Sequence, residues 1–184
     1  MSDNSVNQAL FSLKQPLDVV VMAAGKGTRM KSRLPKVLQR LAGKPLLVHV
    51  LNTAAHLKAR CAIVITGHGA DEVEAAVSSI SGKLAVKFVR QEPQLGTGHA
   101  MQQAVPVLAD DGLVVVLSGD VPLTHADTLK ALMACVRQAG STADSLALLT
   151  LDMPNPTGYG RIVRTAKATA CWPSWSKKTP AKSN

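Results

Sequence analysis

Val19-Val-Val-Met-Ala-Ala-Gly-Lys-Gly-Thr-Arg-Met30, followed by Leu34-Pro-Lys36, decides how the rest of this chain is read. Three valines and then small residues read as a buried strand that stops at Gly25. Gly25 and Gly27 let the backbone turn tightly and come close to a ligand where a side chain would clash. Main-chain N–H groups in such a turn suit a phosphate. Arg29 and Lys36 add a planar fork and a compact point charge, a pair fitted to gripping a triphosphate at different angles. An ordinary strand-to-helix turn with a solvated Arg29 and Lys36 is the competing reading.

The stretch matches neither of two common glycine loops. Met30 stands where Gly-x-Gly-x-x-Gly needs its third glycine, and where Gly-x-x-x-x-Gly-Lys-Ser/Thr, counted from Gly25, needs its second. The missing third glycine speaks against a dinucleotide-binding oxidoreductase.

Outward from this loop the pattern repeats: short apolar runs alternate with amphipathic stretches. Strands are expected at about Asp18–Met22, Ala62–Thr66, Leu84–Val89, Gly112–Leu117 and Ser145–Thr150. Helices are expected at Leu46–Leu57, Asp71–Val77 with Asp71 as cap, Gly98–Leu108, and from a Thr124 cap to Gln138. The alternation implies an α/β fold, Rossmann-like, with a mostly parallel sheet covered on both faces and ligands beyond the strand carboxyl ends. Residues 1–16 read as a mobile leader, 17–166 as a partial domain and 167–184 as a basic tail. Low aromatic content, 3%, leaves the core to Ala, Val and Leu.

The formal charge of +9 raises the question of nucleic acid. Its densest cluster, Arg29 to Arg40, lies beside the glycine loop and suits a small polyanion better than a duplex. No run is apolar enough for a bilayer, and Cys61, Cys135 and Cys171 lack metal-ligand spacing, so a reduced, cytoplasmic protein is expected.

The later loops carry the remaining chemistry. Asp120, on the turn Ser118-Gly-Asp-Val-Pro-Leu123, is placed to hold Mg²⁺ against phosphate oxygens, or merely to cap its turn. Gln91 presents a donor and an acceptor to the imide edge of a pyrimidine, and Gly96-Thr97-Gly98 can bring backbone up to a flat base. His99 is expected only to open the following helix, and His68 to be structural. Gly158 and Gly160, around Tyr159, would admit a sugar.

Together, Ala23 to Met30, Leu34-Pro-Lys36, Gln94-Leu-Gly-Thr-Gly-His-Ala100, Gly119-Asp-Val-Pro-Leu123 and Pro156-Thr-Gly-Tyr-Gly-Arg161 resemble the sugar-nucleotide pyrophosphorylases. The similarity is to the uridylyltransferase domain of the bacterial bifunctional N-acetylglucosamine-1-phosphate uridylyltransferase / glucosamine-1-phosphate acetyltransferase family, over about Leu17 to Thr165. It implies that UTP and N-acetylglucosamine-1-phosphate give UDP-N-acetylglucosamine and pyrophosphate, with Mg²⁺, for cell-wall precursor synthesis. Residue by residue, Met22, Ala23, Ala24, Gly25, Lys36, Gln91, Gly96 and Thr97 match nucleotide contacts. Ser118, Gly119 and Asp120 form the next group, Asp120 being the metal ligand, and Gly160 matches a sugar-nucleotide contact. Arg29 and Lys36 take the charge-neutralising, catalytic part. Two alternatives stay open. One is a nucleotidyltransferase of the same fold acting on another sugar phosphate or small-alcohol phosphate, using CTP or dTTP. The other is a fragment without catalysis.

The resemblance stops after Arg164. Read one base earlier, codons permitted for Ala168 to Lys182 spell Gly-Asp-Gly-Val-Leu-Ala-Ile-Val-Val-Glu-Lys-Asp-Ala-Ser-Gln, a segment of the family type. A frameshift near Lys167 is therefore expected to have made the tail. The family's further metal-sharing Asn and its trimerising acetyltransferase domain would then be missing, leaving activity impaired.

Overall fold

A computed structural model of the chain describes residues 15–27, 30–78, 82–138, 145–160 and 162. The leader up to residue 14, Arg29 and the tail 167–184 lie outside the described residues. These divide into two units at Ala147/Leu148.

In the first unit, β1 (Leu17–Met22), β4 (Cys61–Thr66), β5 (Val86–Arg90) and β6 (Leu113–Ser118) form a parallel sheet in the order β5-β4-β1-β6. A small antiparallel pair, β2 (Arg40–Leu41) with β3 (Lys44–Pro45), stands apart and was not expected from the sequence. The helices are α1 (Leu46–His56), α2 (Ala70–Ser78), α3 (Thr97–Ala104) and α4 (Ala126–Gln138). No helix of the described residues is long and apolar enough to cross a membrane.

Strand alternation sorts the core into two layers. Val19 and Val21 face Leu47, Val50 and Leu51 of α1, Val73 and Val77 of α2, and Leu129 of α4. Val20 faces the other way, with Ile63, Ile65 and the small Ala100 and Ala104 of α3. The three valines are completely buried, as a central parallel strand requires.

Three expectations need correcting. Ser145–Thr150 forms no strand, because it makes no ladder with any described strand, and a strand exists only as a paired element. Both faces of the sheet are not covered throughout: Val114 and Val116 of β6 remain 40% and 43% exposed, since α3 packs over β1 and β4 instead. Helix starts also shift. α2 begins at Ala70, so Asp71 sits in its first turn, and α4 begins at Ala126, which moves the cap position from Thr124 to His125. Thr124 instead accepts, through its carbonyl, a hydrogen bond from Thr53 Oγ1 at 3.5 Å.

The strand order fixes where a ligand can enter. From β1 the chain proceeds outward through β4 and β5, then returns to place β6 on the other side of β1. The turns that follow β1 and β6 therefore diverge around a crevice at the switch in strand order.

Candidate active site

Met22 and Ser118 are register partners at the carboxyl ends of β1 and β6, which brings the two following turns side by side. Gly119 N–H donates to Met22 C=O at 2.9 Å. A Cβ on Gly119 would lie 3.1 Å from Met22 O and 3.2 Å from Val37 Cγ1, so glycine is what lets the turns approach. On the other side, Ala23 N–H donates to Ile65 C=O at 2.9 Å and continues the β1–β4 ladder past the strand end. Ala23 and Ala24 are buried, whereas Gly25 is exposed.

Gly27 has φ +59°, and a Cβ there would come within 2.8 Å of Lys36 Cβ. The tight turn expected of the loop thus falls at Gly27. Gly25 is absent from the left-handed region and has open space around the position a Cβ would take. Lys36 opens a short 3₁₀ turn, Lys36–Leu38, anchored by buried Val37 and Leu38. From there its ammonium reaches across the crevice and donates to Asp120 Oδ2. The pair is half-buried, at 37% and 27% side-chain exposure. The phosphate-loop cation and the carboxylate after β6 are therefore in direct contact.

The third loop joins through the far side of β1. Gln94 Nε2 donates to Ala24 C=O at 2.8 Å. Gly67, just past β4, leaves room for this: a Cβ there would stand 2.6 Å from Gln94 Nε2 and 3.0 Å from Ala24 Cβ. Gln91 is buried, its N–H donating to Thr66 C=O at 2.8 Å and its Nε2 to Gly96 C=O at 2.8 Å. Gly96 has φ +101° and precedes α3, whose first residue is Thr97. Lys26, Gly67, His68, Gln91 and Gln94, with Asp71 and Arg90, line a cleft of about 900 Å³. Its edge is held by Arg90, whose Nε and Nη2 both donate to Glu74 at 2.9 Å, while Thr66 Oγ1 donates to Glu74 Oε1 at 3.0 Å. The Arg90 hydrogen bonds, with help from Thr66, lower the Glu74 pKa.

Met22, Ala23, Ala24, Lys36, Ser118, Gly119 and Asp120 thus gather around the crevice, with Gln91, Gly96 and Thr97 on the adjoining loop. Gly160 belongs to the second unit, where the Tyr159 N–H closes a turn on Pro156 C=O at 3.1 Å. Gln94 and Gly67 were given no role on sequence alone. Gln94 stood inside the quoted Gln94–Ala100 motif, and Gly67 directly beyond a buried strand, which was the available signal.

A second polar cluster lies at the opposite end of the sheet. Arg60 Nε and Nη2 donate to buried Asp18 at 3.1 and 2.6 Å, and its Nη1 donates to both oxygens of Asp111 at 2.8 and 2.9 Å. These contacts, and the Arg60 N–H donated to Leu17 C=O at 2.7 Å, fasten the starts of β1 and β4. They face away from the crevice and serve architecture.

A parallel sheet with a basic loop and a lone carboxylate meeting at its switch point defines a nucleotide-binding α/β domain. The chain belongs to the MobA-like NTP transferase domain family, whose pattern matches residues 19–161, and it is a nucleotidyltransferase by fold and family. It is 68% identical over 151 residues to the bifunctional protein GlmU of Acidovorax ebreus (strain TPSY), covering 80% of this chain and 31% of that protein. With the bifunctional protein GlmU of Cellvibrio japonicus (strain Ueda107) the identity is 52% over 148 residues, again 80% of this chain and 31% of the relative. The chain thus spans about a third of the length of the curated relatives it matches. Among solved structures, a nucleotidyl transferase from Methanothermobacter thermautotroptrophicus superposes with a TM-score of 0.54 at 25% identity, over 65% of this chain and 57% of the other.

Proposed function

We propose that the crevice binds UTP and N-acetylglucosamine-1-phosphate and joins them, releasing pyrophosphate. The observation that carries the reading is the contact of Lys36 with Asp120 across the turns after β1 and β6. A cation and a carboxylate half-exposed at a switch point are ready to exchange each other for a triphosphate and its counter-cation. The high identity to proteins named GlmU supports the sugar phosphate and the uridine nucleotide as substrates.

Mg²⁺ fits this donor set. Among the described residues there is no group of three or more His, Cys, Asp or Glu that could cage a metal. One carboxylate together with substrate phosphates is how Mg²⁺ is commonly held. Asp120 would be its protein ligand, and the ion would supply neutralisation of charge on the leaving pyrophosphate.

The remaining work falls to the chain. The exposed backbone of Gly25 to Gly27 follows the phosphates, and the space beside Gly25 is where they would lie. Lys36, released from Asp120, takes the charge that develops on the leaving pyrophosphate. Arg29 is proposed to share that task. Gln91 and the Gly96-Thr97 backbone hold the base. The attacking phosphate monoester, with a second pKa of about 6, is largely dianionic at neutral pH and needs no general base. Alignment and charge neutralisation suffice. The cytoplasm, where these substrates occur, is the proposed location.

The test is pyrophosphate release by this chain with UTP, N-acetylglucosamine-1-phosphate and Mg²⁺. Release that needs all three supports the reading. Calorimetric binding of UTP without release would indicate a nucleotide-binding module, and neither binding nor release would overturn the proposal.

A further inference from the structure

We propose that His99 is a positioning residue for Gln91, fixing which atom of its amide faces the nucleobase. The inference deepens the functional proposal and rests on its assignment of a uridine nucleotide. His99 was expected only to open α3, yet its ring stands between two glutamines. Its Nδ1 lies 3.2 Å from Gln91 Nε2, and its Nε2 lies 3.2 Å from Gln103 Nε2.

The orientation of Gln91 follows from its neighbours. Gly96 C=O, 2.8 Å away, can only accept, so the amide atom facing it must be the nitrogen. The same nitrogen has a second hydrogen, which points to His99 Nδ1. A neutral imidazole has one accepting nitrogen, so Nδ1 accepts and Nε2 carries the proton. Gln103 Nε2 also lies 3.3 Å from His99 C=O, but Gln103 is only half-buried, so it can give up that long contact to water and turn its carbonyl oxygen to His99 Nε2, which the buried Gln91 cannot do. If Nδ1 carried the proton instead, two donors would face each other at a buried position, at the full cost of an unmade hydrogen bond.

Both hydrogens of the Gln91 amide are thereby committed to the protein. Its Oε1 has no partner among the described residues, and Gln91 lines the cleft. What Gln91 shows a base is an acceptor alone. Uracil presents a donor at its imide nitrogen, whereas the corresponding ring nitrogen of cytosine is an acceptor and would meet Oε1 lone pair to lone pair. His99 thus converts an ambivalent amide into one that favours a base with an imide N–H. Without it, the second Gln91 N–H is uncommitted and can be turned toward cytosine while the first still donates to Gly96 C=O.

Two measurements test this. On the unmodified chain, long-range proton–nitrogen correlation of the His99 ring should show Nδ1 unprotonated. A protonated Nδ1 in the neutral ring overturns the proposal whatever the nucleotide, and this reading needs no variant to fold. Calorimetry with UTP and CTP then compares the unmodified chain with His99→Leu and His99→Asn. His99→Leu should lose about 10-fold of the UTP-over-CTP preference, the size of one net hydrogen bond. His99→Asn, whose Oδ1 can accept where Nδ1 did, should recover most of it. Undiminished preference in His99→Leu, with UTP still bound, overturns the role of His99 alone. An unmodified chain that binds neither nucleotide overturns the uridine assignment and the selectivity proposed here with it.

Discussion

Lys36 and Asp120, separated by 84 residues in sequence, form an ion pair between the loop after β1 and the turn after β6. At 37% and 27% side-chain exposure the pair is too well hydrated to matter much for stability, and exposed pairs contribute about 0–1 kcal/mol. Its residues instead supply the charges that a triphosphate and a divalent cation need.

Substituting either residue should therefore separate stability from function. Lys36→Ala should leave the melting temperature nearly unchanged while lowering turnover by roughly 10²–10³-fold, the range seen when a donor to developing charge is removed. Asp120→Asn should raise the Mg²⁺ concentration needed for half-maximal rate. Thermal melts beside pyrophosphate-release kinetics check both. Normal turnover in Lys36→Ala would return this lysine to the solvated surface.

Gly67→Ala should act on the site through packing. Its Cβ would fall 2.6 Å from Gln94 Nε2 and displace the hydrogen bond to Ala24 C=O. The Gln94 side chain is flexible, but Ala24 Cβ and O, at 3.0 and 3.1 Å, give less readily. A loss of about 1–2 kcal/mol, as for overpacking, is expected, together with weaker nucleotide binding. Urea denaturation and UTP titration measure the two. A stable variant with full affinity would mean that the Gln94 tie is dispensable.

Much of this was legible in the sequence because buried parallel strands write themselves as continuous apolar runs. Val19 to Val21 and Ala62 to Ile65 needed no partner to be recognised. Lys36, Gly119 and Asp120 were legible for a different reason, since they follow strands whose carboxyl ends define the ligand side. Ser145–Thr150 shows the limit: its apolar run, Leu146 to Leu149, is genuine, but pairing depends on a neighbour that local pattern does not reveal. The Gln91–His99–Gln103 array was equally hidden. Its meaning lies in which amide atom faces which ring nitrogen, a property of three-dimensional contact.

Arg60 and Asp18 make the clearest stability prediction. Asp18 is 3% exposed and receives two hydrogen bonds from Arg60. Arg60→Ala would take both guanidinium hydrogen bonds from that buried carboxylate, and the chain should be measurably less stable. Asp18→Asn combined with Arg60→Ala should recover part of the loss. Chemical denaturation of the single and double variants checks this. An Arg60→Ala chain as stable as the original would mean that water replaces the guanidinium.

The last prediction concerns acid. Glu74 is held below its ordinary value of 4.5 by the Arg90 guanidinium and by Thr66 Oγ1. A carboxylate with a lowered folded pKa contributes stability that is fully present above the unfolded value and is lost as pH falls through the folded one. The contacts at stake join α2 to the end of β5, beside the cleft that Gln91 lines. Glu74→Gln should therefore be less stable than the original chain at neutral pH, and the gap should shrink as pH falls below about 4.5. Unfolding free energies from urea titrations at several pH values between neutrality and the acid limit report that gap directly. A gap independent of pH would mean that Glu74 acts by packing and neutral hydrogen bonding, and that its charge contributes nothing to holding the cleft edge.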